Sequence, residues 1–350
     1  MNSIEFIDVS GVGNSGKSAI VDLLRETEGV YSPEYWFEFD ILRVPDGIID
    51  LRNHLVTDWS PIRSHAAILA FRNVIRKMGR DPSRWNLPGL LDSTSQRYDR
   101  RFKGRFTELS EAFVQSFIIA SYKAEWPYDS LREKDVVRFM RKIISRLGFR
   151  KQLVREVLLA RGQDFDVRVT AYMEELYRVI LPVGTDRVVL NNGFEPFNPV
   201  LGLDMLAGSK QMVTTRDPRD VYVSGLNAHN AKGGDISLLA FDNDGMSKSF
   251  LATDDLEVFV KRYRLYCDNL YRGTDPRVLQ IRFEDLILDH KKWVPKIFEF
   301  LGVPITSHVR PGSYFVPARS TKNIGIWKQY SRKEEIKYIE EQLTEYLVND

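Results

Sequence analysis

Cysteine is almost missing from this chain of 350 residues, and the lone Cys267 excludes an internal disulfide. It sits in a Tyr- and Arg-rich helical pattern (258–270), which reads as a small core residue rather than a redox group. An excess of one charge is lacking too. Fifty basic residues against 48 acidic ones leave a formal net charge of +2, so no global attraction to nucleic acid or a membrane follows. No apolar stretch approaches the length of a membrane span. The His, Cys and carboxylate residues nowhere cluster at metal-ligand spacing, so no metal site is expected. A basic-then-apolar leader is absent ahead of the first strand pattern, which makes the cytoplasm the expected location. No internal repeat or low-complexity tract occurs. A chain of this length and ordinary composition can bury a sizeable core as one large α/β domain.

What is present is a pair of phosphate-binding signatures far apart in sequence. The first is Gly11-Val12-Gly13-Asn14-Ser15-Gly16-Lys17-Ser18, which follows an apolar run (Ile4 to Val9) and precedes a helical pattern through Ile20, Val21, Leu23 and Leu24. It fits G-x-x-x-x-G-K-[ST] in the required order of strand, loop and helix. Glycines permit positive φ and leave no side chain between backbone and ligand. Successive N–H groups then converge on an anion at the helix N-terminus. Gly13, Asn14, Ser15, Gly16, Lys17 and Ser18 are the expected contacts; Lys17 adds a point charge, and Ser18 a hydroxyl able to cap the helix. The second is Arg216-Asp217-Pro218-Arg219-Asp220-Val221-Tyr222-Val223-Ser224, again after an apolar run (Met212, Val213).

A magnesium-dependent NTPase would also need an acidic residue at the end of a buried strand. The strand candidate Arg187-Val188-Val189-Leu190 ends in Asn191-Asn192-Gly193, and the next runs into Thr214-Thr215-Arg216. Only the run from Val278 to Phe283 ends in carboxylates, Glu284-Asp285. A P-loop small-molecule kinase using ATP and magnesium is therefore the alternative reading, and it accounts for the first signature alone. A nucleotide with phosphates at both its 5′ and 3′ positions accounts for both.

Arg216 and Ser224, eight positions apart, resemble the Arg and Ser that hold the 3′-phosphate of PAPS (3′-phosphoadenosine 5′-phosphosulfate) in the PAPS-dependent sulfotransferase family. Ile281-Arg282-Phe283-Glu284-Asp285-Leu286 and Ile297-Phe298-Glu299-Phe300-Leu301-Gly302 resemble its R-x-E-D-L … F-L-G stretch. Arg319 through Gly325-Ile326-Trp327-Lys328 resembles its C-terminal G-x-W-K loop. The resemblance implies a P-loop-like sulfotransferase fold, a mainly parallel sheet flanked by helices. With the mostly helical pattern of the middle of the chain, the expectation is one domain, with a core of 1–55 and 181–350 and a helical insertion at about 56–180. The resemblance further implies transfer of a sulfuryl group from PAPS to a hydroxyl or amine, releasing PAP (3′,5′-bisphosphoadenosine). Arg216, Ser224 and either Arg319 or Lys322 would hold the 3′-phosphate and residues 13–18 the 5′ end, while Trp327 would either pack on the adenine or be a core residue. Two departures stand out. The family's loop commonly reads P-[KR]-S-G-[TS]-[TS], so Asn14 stands at the basic position and Lys17 at a Thr position. Ser320-Thr321-Lys322 stands where Arg-Lys-Gly is common.

Such chemistry needs charge neutralisation on the departing phosphate oxygen, for which Lys17 is the candidate, and a base for the acceptor. Glu34, Glu38 and Asp40 lie among aromatics shortly after the phosphate loop; Glu38, between Phe37 and Phe39, is placed first. His54, His65 and His229 lack a distinctive context. Asn191, Asn192 and Glu195 follow a strand and are candidate acceptor contacts. From Pro61 to about Ile180 the pattern is mostly helical, and the stripe Val136, Phe139, Met140, Ile143, Ile144, Leu147 reads as core. Arg97, Arg100, Arg101, Lys103 and Arg105, interleaved with Tyr98, Phe102 and Phe106, read as a solvated face, with an anion- or sugar-binding patch as the second option. The acceptor is expected to be a carbohydrate or lipid-linked glycan, by analogy alone.

Overall fold

The apolar run after Ser3 becomes the central strand of the molecule. In this computed structural model, residues 3–34, 37–80, 97–126, 128, 135–148, 154–231, 253 and 255–348 are described. Strand β1 (Glu5–Gly11) has five consecutive buried residues between half-buried ends, the pattern of a parallel strand covered on both faces. The glycine-rich loop follows, then helix α1 (Ser18–Arg25) and the short strand β2 (Val30–Tyr31). Helix α2 (Pro61–Gly79), strand β3 (Ile118–Glu125), helix α3 (Asp135–Arg146) and strand β4 (Val154–Ala160) come from the intervening segment. The chain then returns to the sheet with β5 (Arg187–Asn191) and β6 (Lys210–Thr215). Helices α4 (Pro218–Ala231) and α5 (Leu256–Asn269), strand β7 (Val278–Arg282) and helix α6 (Phe283–Leu288) complete the core.

The sheet order is β2-β5-β1-β6-β7, with every pair parallel. A mainly parallel sheet flanked by helices is therefore what the chain forms. The register sets Val9 beside Asn191, Gly11 beside Thr214 and Thr215 beside Arg282. The carboxyl ends of β5, β1, β6 and β7 thus emerge along one edge, where open α/β sheets bind ligands.

Side-chain alternation divides the core between the two faces. Phe6, Val188 and Leu190 pack with Phe39, Phe71, Phe102 and Tyr177 on one face. Ile7, Val9, Val189 and Met212 pack with Ile20, Val21 and Leu24 of α1 and with Ile297 and Phe298 on the other. Val12 and Val213 meet Val221 and Tyr222 of α4 and Phe259 and Tyr263 of α5. Cys267 lies in that third cluster, and burial pushes its thiol up to about 11, in keeping with an inert core residue.

Several expectations need correction. Between the α2 helix and residue 178 the chain also forms an antiparallel pair, β3 with β4, running from Ile118 opposite Ala160 to Glu125 opposite Val154. Short apolar runs do not distinguish such strands from helical turns by periodicity. The stripe on α3 is helical as expected but is not core: Val136, Phe139, Met140 and Leu147 are exposed. Amphipathic spacing gives a helix its face but not the partner that covers it. Conversely, Tyr98, Phe102 and Phe106 are fully buried and stack within the core, so they form no exposed sugar-stacking platform. Lys17, not Ser18, occupies the position before α1, and no side chain caps that helix.

Candidate active site

Gly11 ends β1 where only glycine fits: a Cβ there would lie 2.3 Å from the Thr214 Oγ1. Ser15 is buried, and its hydroxyl shares a 2.6 Å hydrogen bond with that same Thr214 hydroxyl. Asn14 and Gly16 have φ of 62° and 84°, the left-handed conformation that lets the loop turn its backbone toward a ligand. A Cβ on Gly16 would sit 2.2 Å from the ring of Phe283, so the first residue of α6 buttresses the loop from behind. Gly13, Lys17 and Ser18 are half-buried beside them.

Lys17 turns to Glu38, and the two side chains form an ion pair. Burial lowers the Lys17 pKa, with Glu38 and Asp40 opposing the shift. Glu38 Oε1 also accepts a 2.7 Å hydrogen bond from Asn192 Nδ2, and its Oε2 lies 3.6 Å from Arg43 Nη2. Asn192 has φ 57°, one residue beyond β5, which aims its amide across the loop mouth. Asn191 donates to the Phe37 carbonyl at 2.8 Å. The hydroxyl of buried Tyr98 donates to the Glu38 carbonyl and accepts the Asp40 N–H, each at 2.9 Å. Three side chains from distant parts of the chain therefore hold the segment that carries Glu38.

The other two candidate bases stand elsewhere. Asp40 is buried, and its carboxylate accepts from Arg43 at 3.0 and 3.2 Å. Glu34 is exposed and pairs with Arg101, whose guanidinium lies 3.5 Å from the Phe37 ring centroid. Glu195 faces Arg43 at 3.8 Å, and burial raises its pKa. Arg43, bridging Glu38, Asp40 and Glu195, was missed in the sequence. Its only local signal was the Asp40–Arg43 spacing of three on a helical turn. His65 is structural: its Nδ1 accepts the Leu158 N–H at 3.0 Å, and Trp126 packs on its ring. His54 falls in the turn 53–57, and the His229 side chain lies outside the described residues.

The second signature meets the first across the β1–β6 pair. Arg216 is buried; its Nη1 donates to the Asn14 carbonyl at 3.0 Å and its Nη2 to the Asn323 carbonyl. Arg216 thereby links the phosphate loop to the C-terminal loop. Its Nε is buried without a hydrogen-bond partner among the described residues. Ser224 is half-buried on α4. The Asp217–Asp220 run is a clamp as well as a turn. Asp220 accepts the Gly325 N–H at 2.8 Å and the Trp327 N–H at 3.3 Å. Arg219 pairs with Asp217 at 2.7 Å and Glu340 at 2.8 Å, and stacks 3.9 Å from the centre of the Trp327 indole. Arg319 and Lys322 are exposed on the loop so held. Glu284 is committed to the backbone: it is buried and accepts the Asp217 N–H at 3.0 Å. Among the described residues, no group of three His, Cys, Asp or Glu is placed to hold a metal ion.

Residues 203–325, from the helix before β6 to Gly325, match the family model described as Sulfotransferase domain. Over that segment the chain is similar to the sulfotransferase domain family. The matched segment contains Arg216, Ser224, Glu284, Arg319 and Lys322, while the loop 11–18 lies outside it. Solved structures similar to this chain include the sulfotransferase domain from the curacin biosynthetic pathway, at 16% identity and TM-score 0.40 over 99% of both chains. The sulfotransferase domain of the Synechococcus PCC 7002 olefin synthase gives 14% identity and TM-score 0.41, over 100% of this chain and 98% of the other. Sulfotransferase STF9 of Mycobacterium avium gives 13% identity and TM-score 0.39, over 99% of this chain and 76% of its own. No curated protein sequence matches. The similarity to the family is confined to residues 203–325.

Proposed function

We propose that this protein moves a sulfuryl group from PAPS to an acceptor hydroxyl or amine and releases PAP. The observation that carries this reading is the parallel pairing of β1 with β6, which brings Arg216 into contact with the phosphate loop. Two anion sites on neighbouring strands suit a nucleotide phosphorylated at both ends; the single polyphosphate of ATP needs only one. The residues present fit that donor. The unpartnered Arg216 Nε is a buried donor for a 3′-phosphate, and positive φ at Asn14 and Gly16 leaves the loop backbone open to the 5′ end. In this reading Ser224 and Arg319 or Lys322 complete the 3′-phosphate site, and Trp327, stacked on Arg219, lines the adenine side.

The chemistry then follows from the Lys17–Glu38 pair. The acceptor oxygen bonds to sulfur as the bond from sulfur to the bridging oxygen of the 5′-phosphate breaks. The acceptor proton passes to Glu38, and the Lys17 ammonium neutralises the departing oxygen. Asn192, donating to one Glu38 oxygen, holds that carboxylate in place. A carbohydrate or glycolipid acceptor and a cytoplasmic location complete the proposal.

Thermal stabilisation by PAP, ADP and ATP with magnesium tests it. A ligand at a hundred times its dissociation constant adds about 2.7 kcal/mol, a shift of roughly a few degrees for a chain this size. Metal-free PAP should stabilise the wild type far more than ADP does, and Arg216→Gln should abolish that difference. Stabilisation by ATP with magnesium alone would make the protein a kinase.

A further inference from the structure

Helix α3 lies in sequence between the paired strands β3 and β4. The β3–β4 pair is anchored at its base, where Val157 and Ala160 are buried and Leu158 donates its N–H to His65. At the outer end Val154, Arg155 and Glu156 are exposed. From there the sequence Asp-Val-Val-Arg-Phe-Met-Arg-Lys-Ile-Ile-Ser-Arg forms α3. Its apolar positions Val136, Val137, Phe139, Met140, Ile143 and Ile144 occupy roughly 160° of the helix circumference at the helical period. Most of that face meets water: Phe139 is 64% exposed, Met140 53% and Val136 73%. The arm adds exposed Ile119 and Tyr122. The opposite arc carries the helix positions Arg138, Arg141, Lys142 and Arg146, against Asp135 as the one acid of the helix. The chain as a whole is nearly neutral, so this basic arc is a local feature.

An uncharged protein groove would take the apolar arc and leave the bases without a role. A second copy of the same helix, packed through the apolar arc, would leave both basic arcs outside the contact and without a partner. An anionic lipid surface satisfies both arcs at once, the acyl boundary taking the apolar side chains and the headgroup phosphates the cations. At about 18 Å the helix is far too short to span a bilayer and suits one lying in its plane. No helix among the described residues is long and apolar enough to cross.

We propose that α3 docks this protein on an anionic lipid surface, with Phe139, Met140 and Ile143 entering the headgroup boundary and the exposed cations Lys142 and Arg146 available to the lipid phosphates. The test is flotation of the full chain with vesicles of phosphatidylcholine alone and of phosphatidylcholine with phosphatidylglycerol, with no nucleotide present. The variants are Phe139→Asp with Ile143→Asp, and Lys142→Glu with Arg146→Glu, all at exposed positions; thermal melting verifies that each folds. The wild type should float with the anionic vesicles on the order of tenfold better than with neutral ones or at high salt. Both variants should lose that preference while melting like the wild type. Three results would overturn the proposal: no flotation of the wild type, flotation unchanged in both variants, or a wild-type dimer by light scattering that the first variant dissolves while neither form binds vesicles. The last would assign the face to a second copy. Because no donor is involved, failure here leaves the sulfuryl-transfer reading untouched.

Discussion

Replacing Asp8 by asparagine removes a buried acid from the middle of the central strand, and the consequence for stability can be worked out. Asp8 is completely buried; Oδ1 accepts the Gly193 N–H at 2.7 Å and Oδ2 accepts from Gln211 Nε2 at 3.0 Å. Burial is the largest influence and raises the carboxyl to about 7, against the hydrogen bonds from Gly193, Phe194 and Ser10 and the charge of Arg43. An unfolded aspartate titrates near ~3.9, so the folded chain binds this proton more tightly. The stabilisation is therefore fully present below about pH 4 and is lost as pH rises through about 7. From about pH 5 to about pH 8, only the folded form is protonated over roughly two units, which amounts to about 3 kcal/mol at ~1.4 kcal/mol per unit. Asparagine at position 8 keeps an acceptor for Gly193. Its amide can meet the Gln211 Oε1, which has no hydrogen-bond partner among the described residues. Urea unfolding of the wild type and Asp8→Asn at the two pH values measures the effect. The stability difference between them should move by about 3 kcal/mol in favour of the variant as pH rises. Parallel losses in both proteins would refute the reasoning, because Asp8 would then not be the group that titrates.

Three further outcomes are expected. Glu38→Gln should lower kcat by roughly 10²- to 10⁴-fold, while Glu34→Gln, at an exposed carboxylate paired with Arg101, should stay within about threefold; the reverse order in a turnover assay would remove Glu38 as the base. Gly16→Ala forces a side chain into a backbone at φ 84° and against Phe283, so its melting temperature should drop by several degrees and its PAP stabilisation should vanish; wild-type behaviour in both would contradict the loop geometry. Tyr98→Phe strips the hydroxyl that bridges Glu38 and Asp40 and leaves a buried N–H unpaired, so denaturant unfolding should show a loss of about 1–3 kcal/mol; no loss would mean the bridge is dispensable.

Much of the candidate site was legible because its chemistry is written in local backbone requirements. The loop 11–18 needs glycine where a Cβ would strike Thr214 or Phe283, and such needs leave a sequence signature. The strands β5, β6 and β7 were legible from short apolar runs that stop at polar or charged residues. The β3–β4 arm was not, since brief apolar runs suit a strand or a buried helical turn equally. Which side chains of 97–106 are core was equally hidden: Tyr98 and Phe102 pack on Phe39, Phe102 also on Tyr177, both far away in the chain, and Phe106 packs on Tyr98 and Phe102 in turn.

The choice among three nearby carboxylates shows where the boundary falls. Sequence by itself determined that a glycine-rich loop sits at the end of a buried strand and that the Arg216 segment ends another, because turn geometry and strand burial are short-range demands. Only the tertiary structure decided that those strands are neighbours and that Arg216 bridges the two segments. It also decided that Glu38, not Glu34 or Asp40, meets Lys17. That last choice rests on Asn192 and Tyr98, each more than fifty residues from Glu38 in the chain, and on hydrogen bonds that exist only once the sheet has brought them together.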